Sequence, residues 1–132
     1  MTDKHTQLNR YLGVLLNGVA QLEYDREHGL SDYQKDYLDN MDQRMDSGIE
    51  MATETIENPD TMARVQFVAG NLLHAMKSGD ETLCSAFCAY MAVRMPDLDQ
   101  VRFSELNDEI SIELVFDQPY RKQVSIPVTL NG

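Results

Sequence analysis

Cysteine is scarce in this chain of 132 residues, where Cys84 and Cys88 are the only two. They stand four apart in a stretch that reads as helix, where the backbone holds their Cα atoms near the outer limit for bridging, so no structural disulfide is expected. Bases are scarce as well. Eleven Lys and Arg face 22 Asp and Glu, a formal charge of −11, and such a field repels nucleic-acid phosphates and anionic lipid. The expectation is therefore no direct nucleic-acid binding. No uncharged run reaches the length of a membrane span, and residues 1–10 show no charged-then-apolar leader, so neither a membrane segment nor a signal peptide is expected and the cytoplasm is the expected location.

Metal and catalytic motifs are missing in the same way. A calcium loop needs acidic ligands at alternate positions and a glycine at the sixth, and Asp46-Ser47-Gly48 has the wrong spacing. Carboxylate-bridged helical metal sites use Glu-x-x-His pairs, and no Glu here has His three residues later. Glu23 and Glu27 lie one helical turn apart on the predicted first helix, but His28 directly adjoins Glu27 and would point elsewhere. No metal and no cofactor are expected.

Apolar residues make up 42% and charged residues 25% of the chain, the composition of an ordinary globular protein and not of a disordered one. The length fits one domain spanning 1–132. The periodicities predict an α+β fold, with a four-helix N-terminal region packed on a C-terminal three-stranded antiparallel β-meander.

The first predicted helix covers 7–28, because Leu8, Leu12, Leu15, Val19 and Leu22 recur at steps of four and three. Gly13 and Gly18 lower its propensity and permit close approach of a neighbour, and His28-Gly29 supplies a stop. The second covers 31–57, capped by Ser31, with Tyr33, Tyr37, Met41, Met45, Ile49, Ala52 and Ile56 as its apolar stripe. Asn58-Pro59 breaks it.

A third helix over 60–77 carries Met62, Val65, Val68, Ala69, Leu72 and Met76 on one face and a second stripe of Ala63, Phe67, Gly70 and His74. A fourth, over 80–95, has no charge from Thr82 to Val93 and reads as the buried hub. Strands follow at 100–105, 109–116 and 122–130, where the period becomes two, with Asn107-Asp108 as the first turn. Pro127 marks the last strand as an edge, and the sheet is expected to keep one wet face.

Charge concentrates on the second predicted helix, since residues 31–60 carry nine acids and two bases. Asp36, Asp39, Asp46 and Glu50 are the candidate contacts to a basic protein partner, weighed against a plain solvated face. Ala63, Phe67, Gly70 and His74 are the candidate interface for a partner or a homodimer. Tyr33, Tyr37, Met41 and Met45 suit an adaptable groove, though packing against the first helix is preferred. The leading expectation is a small acidic non-enzymatic interaction or regulatory protein. The alternative is a small enzyme or ligand-binding protein with a pocket between helices and sheet near Cys84, His74 and Tyr90, in which Cys84 is the nucleophile candidate.

Overall fold

A computed structural model describes residues 10–51 and 53–121. The described residues form three α-helices and six strands, in a four-stranded mixed sheet and a two-stranded one, and not four helices and a meander. Strands β1 (Tyr11–Leu16) and β2 (Val19–Asp25) form a hairpin, followed by a short 3-10 turn at Arg26–His28. Helix α1 (Asp32–Asp46) leads into a second hairpin, β3 (Ile49–Met51) and β4 (Glu54–Ile56). Helices α2 (Thr61–Ser78) and α3 (Glu81–Arg94) come next, then β5 (Gln100–Leu106) and β6 (Glu109–Val115).

The helix expected over 7–28 is thus a β-hairpin in its described part. Its run Leu12, Gly13, Val14 and Leu15 is buried throughout, and a strand covered on both faces shows a continuous apolar string without alternation, which mimics a helical stripe at steps of three and four. The turn is Asn17-Gly18, with φ of 50° and 82°. Those positive values belong to the hairpin turn that Asn-Gly favours.

The helix expected over 31–57 ends at Asp46. Its last third becomes the β3–β4 hairpin, in which Ile49 pairs with Ile56, and the directly opposed pair faces one way as a helical stripe would. The other two helices and the β5–β6 hairpin lie close to their predicted bounds. The meander does not form among the described residues, because β5 takes β1 as its other neighbour, in parallel register from Gly13–Gln100 to Leu16–Phe103. The order is β2-β1-β5-β6. The strand expected over 122–130, its Pro127 edge and Ala52 lie outside the described residues.

One face of this sheet presents Leu12, Val14, Val101 and Phe103, all at most 1% exposed, to α2 and α3, whose Val65, Val68, Leu72, Tyr90 and Met91 complete the core. α2 and α3 are joined at Gly79, whose φ of 73° lets its amide reach back to Ala75 and Met76, the left-handed helix ending that glycine permits. Asp80 then caps Leu83 at the start of α3.

The opposite sheet face is not wholly wet. Residues after β6 cross it, with Gln100 Nε2 donating to the Gln118 carbonyl at 2.7 Å and Arg102 donating to Gln118 Oε1 at 2.8 Å. Tyr120 ends the crossing against Gly13 and donates to Glu23 Oε2 at 3.0 Å. Arg26 holds the far end of α3, donating to the carbonyls of Ala92 and Met95, which the helix end leaves without an intrahelical partner, and to that of Leu98 in the loop beyond.

Candidate functional site

α1 and α3 run side by side in the same direction: the start of α1 shares a cleft with the start of α3, and Asp42 reaches Tyr90 and Arg94 further along. The later ends of the two helices are tied by charge. Asp42 accepts from Tyr90 Oη at its Oδ1, from Arg94 Nε at 2.8 Å and from Arg64 Nη1 at 3.2 Å. Arg64 also reaches Asp46 at 2.8 Å and the carbonyls of Pro59 and Asp42, while Arg94 reaches Asp39 at 2.9 Å.

Burial pushes the Asp42 carboxyl up, but the three donors outweigh it and hold the group below its ordinary value. Burial and the bond to Asp42 together push the Tyr90 phenol up. Hydrogen bonds to an ion stabilise the charged form, so this is a fixed ionic clasp of α1 onto α2 and α3.

That clasp divides the acidic stripe. Asp39 and Asp46, two of the four candidate partner contacts, are paired to the chain's own Arg94 and Arg64. Glu50 is exposed on β3 and not on a helix, and Asp36 is exposed on α1. Sequence reasoning missed Arg64 and Arg94 as partners, since nothing local shows that two other helices will bring them there.

Toward the starts of α1 and α3 lies an open cleft of about 740 Å³. Its α1 wall is Ser31, Tyr33, Gln34, Tyr37 and Leu38, its α3 wall is Glu81, Thr82, Ser85, Ala86 and Ala89, and Tyr24 of β2 also lines it. Among the described residues of this lining Glu81 is the only charged one, and none is a base. Tyr33 stands at the rim, 78% exposed, so it belongs to the groove alternative and not to the core stripe. Leu38 takes the buried place instead.

A second hollow of about 390 Å³ adjoins the first across Tyr24, Glu81 and Ser85, and it is lined by Leu22, Met76, Cys84 and Cys88. Burial pushes both thiols up, Cys88 to about 12, which is the wrong direction for a nucleophile at neutral pH.

His74 is exposed on α2 and lines neither hollow. Tyr90 spends its hydroxyl on Asp42. The three residues of the enzyme alternative are therefore not gathered into one site. In the candidate interface stripe, Ala63 and Phe67 pack partly against the core while Gly70 and His74 face outward.

Among the described residues no group of three or more His, Cys, Asp or Glu is placed to hold a metal ion, and no helix is long and apolar enough to cross a membrane. Comparison with protein-family models, with curated proteins and with solved structures finds no match to this chain.

Proposed function

We propose that this chain is a non-catalytic binding module that receives a basic, partly apolar segment of a protein partner in the cleft between α1 and α3. The observation that supports the reading is the lining, which among the described residues holds three tyrosines, small apolar side chains, one carboxylate and no base. At 100° per residue Asp36 falls about 60° beyond Tyr33 on the α1 surface, on the side away from Tyr37 and Leu38, so one exposed carboxylate stands next to the rim. A cationic segment with an apolar anchor meets complementary charge at the rim and apolar surface below. Asp39 and Asp46 serve the clasp in this reading and not the partner.

The test is fluorescence anisotropy with a labelled basic amphipathic peptide and an acidic counterpart of equal apolar content. The basic peptide binds at low salt, weakens as salt screens the rim, and loses about three- to tenfold affinity in Asp36→Asn and in Glu81→Gln. Equal binding of both peptides, or binding that neither substitution moves, overturns the proposal.

A further inference from the structure

Resting on that reading, we infer that the cation seated in the cleft is the ammonium of a lysine side chain, placed among Tyr24, Tyr33, Tyr37 and Glu81. Aromatic rings attract cations through their negative faces, and cages of several rings are the usual way that proteins hold alkylated ammonium groups. Here three phenol rings and a single carboxylate line one hollow, with no competing base among the described residues.

An anion is disfavoured at the same place. Each of the two helix starts that border the cleft has one amide taken by its cap, Gln34 by Ser31 and Leu83 by Asp80, and each carries an acid in its first turn, Asp32 and Glu81. An acid and a filled cap amide thus lower the pull of each positive helix end on an anion.

Lysine suits the lining better than arginine. A guanidinium carries five donors in a rigid fork and calls for a matching set of acceptors, whereas an ammonium is a compact charge with three rotatable donors on a flexible apolar stem. Glu81 is the one carboxylate among the described lining residues, so a guanidinium fork meets no pair of charged acceptors, and Ala86 and Ala89 offer methyl surface for the stem. Lysine buries such a stem while its head stays near polar groups.

The experiment uses the full chain and one basic peptide whose central residue is lysine, norleucine or arginine, with choline as a free ammonium, followed by amide chemical shifts in NMR titrations. Lysine binds at least about fivefold tighter than norleucine, with shifts at Ser85, Ala86 and Ala89. The advantage shrinks in Tyr33→Leu, which keeps a large apolar group at an exposed site, and in Glu81→Gln. Equal affinity for lysine and norleucine overturns the inference, as does equal or tighter binding of arginine, or an unchanged lysine preference in both variants. Choline binding as tightly as the peptide assigns the cleft to a free ammonium compound and overturns the lysine assignment. If all three peptides bind alike, the basic-segment reading stands without this inference; if none binds, both fall.

Discussion

The ring of Tyr120 occupies the space that a side chain at position 13 would fill: a Cβ built on Gly13 falls 2.1 Å from Tyr120 Cδ1 and 2.4 Å from Cγ. Residues 107 positions apart thus form one packed pair, and it holds the crossing segment against β1 on the face away from the helices. Gly13→Ala forces the ring out and costs about 1–3 kcal/mol, the usual penalty of overpacking. In a Tyr120→Ala background the same substitution becomes close to neutral, because the clash is gone. Urea unfolding of the two single variants and the double variant measures that coupling, and simple additivity would count against the pairing.

Asp42 is the shared acceptor of the clasp, so its loss strands several donors at once. Asp42→Ala is expected to cost about 2–4 kcal/mol, since unpaired polar groups in a partly buried network bear their desolvation cost without return. Tyr90→Phe removes a single donor and is expected to cost about 1 kcal/mol. Chemical denaturation gives both values, and the order Asp42→Ala over Tyr90→Phe is the decisive result.

Acid is expected to loosen the fold through two carboxyls. Asp42 is held below its ordinary value by Tyr90, Arg94 and Arg64 against the opposing effect of burial. Asp25 is held at about 2, first by the hydrogen bonds from Arg10 at 2.9 and 3.1 Å and then by the Glu27 amide. A carboxyl with a lowered folded pKa contributes stability that is present above its unfolded value, about 4, and is lost as pH falls through the folded one. Stability therefore declines between about pH 4 and pH 2, and the decline is shallower in Asp42→Asn. Denaturation midpoints across that range follow it; identical slopes in the wild type and the variant would remove Asp42 as a source.

Cys84 and Cys88 are expected to react slowly with a thiol reagent at neutral pH. Burial raises both thiols, and each is under 10% exposed, so little thiolate is present or reachable. Colour yield with a disulfide reagent, before and after denaturant, should rise at least about tenfold in rate on unfolding. Prompt modification of Cys84 in the folded state would restore it as a candidate nucleophile.

Much of the second half was legible because its signals are local. Asp80 and Gly79 mark the α2–α3 joint, and Glu109 to Val115 alternates in sequence as a strand does, although of these residues only Val115 is buried. Asn17-Gly18 was an equally local hairpin signal, but the apolar steps around it fit a helix too. Periodicity alone does not separate a short buried strand from a helical stripe, and here the turn was the better guide. The cleft was only partly legible. Tyr33 and Tyr37 stood out on the predicted stripe, whereas Tyr24 was placed on a helix that does not exist.

The sequence by itself determined the charge of the chain, the caps at Ser31 and Asp80 and the β5–β6 hairpin, because each depends on neighbours within a few residues. Only the tertiary structure decided that β1 lies beside β5 and that Arg64 and Arg94 take Asp39, Asp42 and Asp46 for their own. It also decided that Tyr24, Tyr33 and Glu81 share one hollow. Pairing across 18 to 88 residues is settled by which apolar faces bury one another, and no local pattern encodes that choice.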